Sequence, residues 1–482
     1  MQFIDGPSLQ QAAKQLSMPD KAQVIRDAAL ALHAAHELGI IHRDIKPAKG
    51  TMTGTRRNRS ACRRMWPHAA ACGRMPPHAA ARRYARGRRT KRTCLAAERR
   101  PGAAEIQPGF GGSRRELARP GGGELLGSGP GLSIKLRCAR MATKGHLLGG
   151  GSFIADGVQQ FALAVIDLDA PAPEAELIPI PFLAHGIAID PKDPGRAVLF
   201  EKKGPGACVV DLRTRTLVRP IHTAPGRRFY GHGAFSADGA LLYATESLIE
   251  RDFTGVLTVR DGQTLAELGT VPTYGAAPHD CQLIDGGKTM VVANGGGSIA
   301  DGAPAGVCYV DLQSEQLLDR VELESPLFNT GHIAVTPAGD LAVVSAPRDG
   351  LPTPSQQLGA VSLRARGGPL TTVQRPAEVV RRMLGETLSV VIDEQERVVL
   401  ATHPLGDCIS IWRLDDAEFL GKLELSGPRG VTLSLDRAWY LVSHLAGRSV
   451  RVTAFARKTY EPVGFHVDPS FISGSHVMVH AL

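Results

Sequence analysis

The chain has 482 residues, 43% hydrophobic but only 5% aromatic, with 54 Gly and 33 Pro; this length allows about three domains and a sizeable core, and the composition favours short strands joined by tight turns over a helical bundle. No run of 18 apolar residues occurs, so no membrane-spanning helix is expected. The net charge of +9 is local, because residues 51–140 hold 21 Lys or Arg against 4 Asp or Glu; the remainder is net acidic, and the basic balance says nothing about the partners of a folded body.

The N-terminus, MQFIDGPSLQ, lacks the charged-then-apolar pattern of a secretory signal, so the sequence as written reads as cytoplasmic. Val24, Ile25, Ala28, Ala29, Leu32, Ala35 and Leu38 follow helical spacing, and Gly39 is placed to end that helix. The run that follows, Ile41-His42-Arg43-Asp44-Ile45-Lys46-Pro47, resembles the catalytic loop of eukaryotic-type Ser/Thr protein kinases. That resemblance implies Asp44 as the catalytic base and Lys46 as a contact to the transferred phosphate. Lys49 stands where that family carries a metal-binding Asn, and no Asp-Phe-Gly follows. Phosphoryl transfer depends on Mg²⁺ and on a lobe that cradles the nucleotide. Residues 1–49 therefore read as a short, mainly helical fragment of a kinase without catalytic activity. The alternative is a signalling enzyme that binds Mg-ATP here.

Residues 50–140 change abruptly to Arg, Ala, Gly and Pro. Such a composition cannot bury enough apolar surface to offset the entropy of ordering, which predicts a disordered basic linker with weak, non-specific attraction for nucleic acid. Within it, ACRRMWPHAA is followed directly by ACGRMPPHAA, bringing Cys62, His68, Cys72 and His78 into one span. Four such ligands suit tetrahedral zinc, but the spacing lacks the close Cys pairs of zinc modules and reads more simply as a duplication.

From Met141 the pattern becomes regular. A small residue and a His open an apolar strand, a Gly- or Asp-containing turn reverses it, and a second apolar strand follows: GHGAFSADGALLYATES, PHDCQLIDGGKTMVVANGG and GHIAVTPAGDLAVVSAP. Unit starts at His185, His232, His279, His332, Glu386, Gly430 and His476 recur every 44 to 54 residues, the length of a four-stranded propeller blade. A second hairpin completes each unit, as in GACVVDLRTRTLVRPI. The segment from Gly145 to Pro181 holds three strands without a first, while the C-terminal SGSHVMVH supplies one strand without followers. Pairing the two predicts an all-β, seven-bladed β-propeller over residues 141–482, closed by its own C-terminal strand. Cys208, Cys281, Cys308 and Cys408 sit singly on apolar strands and read as small buried hydrophobes.

RRFYGHGAFSADGALLYATES, GAAPHDCQLIDGGKTMVVANGGG and ETLSVVIDEQERVVLATHPLGDCISIWRLDDAEFLG resemble an uncharacterised bacterial family akin to YVTN-type surface-layer propellers, catalogued as a domain of unknown function (1513). Its members are often exported and encoded near imelysin-type iron-uptake proteins, so the resemblance implies a periplasmic, envelope-associated role.

In a blade, first strands start and second strands end on one face. His185, His232, His279 and His332, with His476 as a further candidate, are therefore expected to ring the channel mouth. Glu246, Asn294, Arg348, His403 and His444 are expected to form a wider ring on the same face. Imidazoles converging with Glu246 suit Zn, Cu or Fe; Arg348 and protonated His suit an anion; and each His can instead cap its strand against the next blade. These readings predict a monomeric, non-catalytic module binding a protein or small ligand at the propeller rim. A propeller hydrolase using the His and Glu rim is the enzymatic alternative.

Overall fold

The computed structural model describes residues 143–300, 302–353 and 356–482. Asp44, Lys46 and the Cys/His tandem lie outside these residues. Among the described residues, strands β1 to β28 in chain order form seven four-stranded antiparallel sheets. The first strands of the blades are β4 (Ala184–Ile189), β8 (Arg227–Phe235), β12 (Pro278–Ile284), β16 (Ile333–Val335), β20 (Val390–Asp393), β24 (Val431–Leu433) and β28 (Val477–His480). From β4 to β28 each touches the next, so together they line a central channel.

The ring closes as its two incomplete ends require. β28 pairs antiparallel with β1 (His146–Ala155) through Leu147 opposite Val479 and Gly149 opposite Val477. This places the C-terminal strand at the inner edge of a sheet otherwise built from the start of the propeller. Closure pairs the inner edge of β1, which removes a template for aggregation.

The second strands explain why the middle of each unit reads as a continuous apolar run. In β5 (Arg196–Glu201), Ala197 and Leu199 face one neighbouring blade, while Val198 and Phe200 face the other. A strand buried on both faces needs apolar residues at both parities. One buried apolar cluster fills each of the seven seams between blades. Cys208, Cys281, Cys308 and Cys408 are free and buried, the first three within these seams, and burial pushes the Cys208 thiol up to about 12, which suits packing rather than reactivity.

Paired charges tie blades together at the turns opposite the channel mouth. Asp393 receives Arg437 at 3.4 Å, together with Arg457 and the Tyr440 hydroxyl. The Asp340 carboxylate accepts from Arg397 at 2.6 Å. No helix among the described residues is long and apolar enough to cross a membrane.

Candidate metal centre

Three of the histidines sit at irregularities of the first strands. The β4 register slips between Ala184 and Gly186, around His185. That of β12 slips between Pro278 and Asp280, around His279, and that of β8 between Phe229 and Gly233, across the segment carrying His232. An unpaired residue at such a bulge is re-aimed out of the strand alternation, and here the imidazoles turn into the channel. Close backbone approach makes this packing available. A Cβ on Gly231, whose φ is +122°, would meet His185 Cδ2 at 2.5 Å, and one on Gly186 would meet the Gly231 carbonyl oxygen at 2.4 Å.

The result is a tight cluster. One ring nitrogen from each of His185, His232, His279 and His332 lies within 4.8 Å of the others. His185 is the hub: its Nε2 is 3.2 Å from His279 Nε2 and 3.1 Å from His332 Nε2. His476 joins the same group, its ring centroid 3.9 Å from that of His332 and 4.3 Å from that of His232. Five of the seven blades thus contribute an imidazole. At the corresponding positions of the other two stand Ser389 and Gly430, immediately before β20 and β24.

Three of the outer nitrogens have partners in the surrounding protein. His232 Nδ1 donates to Asp280 Oδ1 at 3.1 Å, His332 Nδ1 donates to the Leu388 carbonyl of the next blade, and His185 Nδ1 shares a hydrogen bond with Ser475 Oγ at 3.2 Å, which either atom can donate. The carboxylate and the carbonyl keep the proton on Nδ1 of His232 and His332 and leave their Nε2 lone pairs facing inward, the arrangement that orients metal-bound imidazoles. His232 Nε2 and His476 Nε2 are buried without a hydrogen-bond partner among the described residues. The Asp280 carboxylate also accepts from the Ile333 and Cys281 amides at 3.0 and 2.7 Å, which fixes it between two blades.

Burial is the largest effect on every imidazole of the cluster, and it holds each of them below the usual range. His476 falls to about 3. The rings are therefore neutral at physiological pH. Burial likewise raises Asp280 to about 7, against the opposing pull of its two amide donors.

At 3.1 to 3.2 Å the paired nitrogens either share a ring N–H or, with both lone pairs turned inward, repel. Around an ion bound at about 2.0–2.1 Å, neighbouring nitrogens stand about 2.9–3.4 Å apart, depending on the angle between them. The His185 contacts fall inside that interval, while separations within the group reach 4.8 Å. The donor set suits Zn, Cu or Fe. The cluster also divides the channel. Beyond it a cavity of about 420 Å³ runs along the first strands past Gln282, Glu394 and Met478. On the other side the mouth opens as two clefts, one beside His279 and His332 and one beside His185.

Glu246, expected to complete the ligand set, is elsewhere. Its position in β9 (Leu241–Leu248) turns it into the sheet, where it accepts from Arg260 at 3.2 Å, with Arg227 at 3.8 Å. Alternation along the strand, not nearness to its end, decides that direction. The rest of the expected wider ring is structural too. Asn294 donates to the Thr273 carbonyl at 2.9 Å, Arg348 gathers carbonyls of Gly297, Ser298, Gly302 and Ala303, and His444 pairs with Thr453 at 2.9 Å.

His403 is fully buried between Thr387 Oγ1 at 3.2 Å and Ser410 Oγ at 2.7 Å. Burial, helped by Arg382, pulls it down to about 3. Because the unfolded chain protonates this group near 6.5, the unfolded state binds more protons between those values. The stabilisation is complete above about pH 6.5 and is lost as pH falls. His403 by itself is expected to cost about 2 kcal/mol of stability by pH 5. Urea unfolding at pH 7.5 and pH 5 checks this; His403→Gln should flatten the difference, and an unchanged pH slope in that variant would contradict it.

Asp280, Ser475 and the Leu388 carbonyl were not among the residues that strand position suggested. Only the Pro-His-Asp run at 278–280 offered a signal, a carboxylate beside a candidate ligand. It serves the histidine of the neighbouring blade instead.

A family model described as protein of unknown function (DUF1513) matches residues 178–468. No curated protein matches the chain. Among solved structures, hydrazine synthase of Kuenenia stuttgartiensis is similar, with a TM-score of 0.50 at 14% identity over 62% of this chain and 93% of that one. At this identity the likeness concerns the fold alone.

Proposed function

The chain belongs to the DUF1513 family, and on that premise we propose that its propeller is a metal-binding module. It holds one Zn, Cu or Fe ion in the channel through His185, His232, His279 and His332, with His476 alongside. The observation that carries this reading is the approach of inward-facing Nε2 atoms of His185, His279 and His332 to 3.1 and 3.2 Å, while the outer nitrogens of His185, His232 and His332 are occupied. Strand capping accounts for one of these contacts, that of His332 with Leu388. It does not account for five rings turned toward one another. The buried carboxylate of Asp280 offsets part of the charge of a dication, and the neutral rings need lose no proton to bind it.

The test is metal analysis of the purified full chain after loading with Zn²⁺, Cu²⁺ or Fe²⁺ and removal of excess. About one equivalent is expected. Paired replacement, His232→Ala with His279→Ala, should abolish it. Stoichiometry near zero in the unaltered chain would sink the reading. Binding should also raise the unfolding midpoint, since a ligand at 100 times its Kd adds about 2.7 kcal/mol to the native state.

A further inference from the structure

The segment that closes the ring also reaches the histidine cluster. Every other first strand continues into the second strand of its own sheet, whereas β28 pairs with β1 from the far end of the propeller sequence. It makes four cross-strand pairs there, and all four of its residues are only partly buried. A strand this short, joined to its sheet by no hairpin, can detach while the rest of the blade stays folded, so its local opening costs less than global unfolding.

Two consecutive residues in front of β28 join it to the rings. Ser475 Oγ shares a hydrogen bond with His185 Nδ1 at 3.2 Å. The His476 ring stands edge-on to those of His332, His232 and His185, with centroids 3.9, 4.3 and 4.8 Å away. Its Nε2 is buried and has no hydrogen-bond partner among the described residues. The segment is seated closely: the Gly474 N–H donates to the Gly150 carbonyl of β1 at 2.8 Å. A Cβ on Gly430 would meet Val477 Cγ1 at 2.8 Å, so the blade that lacks an imidazole at that position leaves room for the closing strand.

Both residues respond to an ion among the rings. Without one, either His185 Nδ1 or Ser475 Oγ can donate in the bond between them. An ion on His185 Nε2 fixes the proton on Nδ1 and, by drawing charge from the ring, makes it the stronger donor to Ser475 Oγ. The buried Nε2 of His476 is unsatisfied while the strand is docked and gains water when it opens, which favours opening. An ion among the rings offers that lone pair a partner in the docked state instead. We propose that metal binding and docking of β28 are linked, so that the ion acts as a latch on ring closure, with Ser475 and His476 as the coupling residues. This rests on the metal-centre reading above. Such linkage is reciprocal: the factor by which the docked segment tightens the ion is the factor by which the ion holds the strand.

Hydrogen exchange of the full chain, with and without one equivalent of Zn²⁺, provides the test. Zn²⁺ is expected to slow exchange of Val477–His480 about tenfold or more, the lower end of what support from outside the ligand set contributes to metal affinity. Exchange of β22 (Cys408–Arg413), in a blade without an imidazole in the cluster, should slow less. Replacing Ser475→Ala and His476→Ala together should weaken Zn²⁺ binding by a similar factor in chelator competition and remove the zinc-dependent protection, whereas Ser475→Thr, which keeps the hydroxyl, should retain most of both. If the double variant fails to fold, Ser475→Ala is read in its place. Zinc bound at one equivalent with unchanged exchange of Val477–His480, with equal slowing at β22, or with full protection in the variant would overturn the latch and leave the metal centre standing. Absence of zinc uptake by the unaltered chain overturns both.

Discussion

Ending the chain after His476, so that the β28 residues Val477 to His480 are lost, is expected to prevent the propeller from folding to a soluble, cooperative state. That strand makes four cross-strand pairs with β1. Val477 and Val479 pack into one seam and Met478 into the next. Apolar burial and ladder hydrogen bonds of this extent amount to about 5 kcal/mol or more, against a total stability of about 5–15 kcal/mol. The truncation also leaves β1 as an exposed edge. Solubility and the cooperativity of urea unfolding report the outcome. A truncated chain that unfolds with the same midpoint and slope as the full one would contradict closure by the C-terminal strand.

The second large effect concerns Asp280. Replacement by Asn keeps the size, but its single amide oxygen can accept from only one of the Ile333 and Cys281 amides, which use different oxygens of the carboxylate, and it removes the charge behind His232. Loss of such an outer carboxylate costs about 10–100-fold in metal affinity. Asp280→Asn is therefore expected to weaken metal binding by that factor and, through the buried amide left without an acceptor, to lower the stability of the metal-free protein by about 1–3 kcal/mol. Competition with a chromophoric chelator measures the first quantity and urea unfolding the second. Equal metal affinity in the two proteins would place Asp280 outside the centre's support.

Much of the architecture was legible because a propeller is periodic. Each unit must present a strand buried on both faces and reverse it at a Gly- or Asp-containing turn, so the seven unit starts from His185 to His476 already carried the blade count. The open ends were legible for the same reason, since three strands at one end and one at the other complete a single sheet. The four histidines were legible as a group because equivalent positions in successive blades must lie on one ring. Glu246 was misplaced by the same reasoning carried too far. Position along a strand says which end of the channel a residue is near, whereas strand parity and bulges say whether its side chain points into the channel or into a seam.

The amino-acid sequence by itself thus determined the all-β class, the number of blades, the closure and the height of the histidines in the channel, because these follow from periodic burial and chain connectivity. Only the tertiary structure decided which nitrogens face one another, that Asp280 of one blade serves His232 of another, and that Lys202 lines the clefts beside His185, His279 and His332. Those relations join residues about 20 to 290 positions apart through bulges and between blades, where a few tenths of an ångström separate a contact from a gap and no local pattern encodes the direction of a side chain.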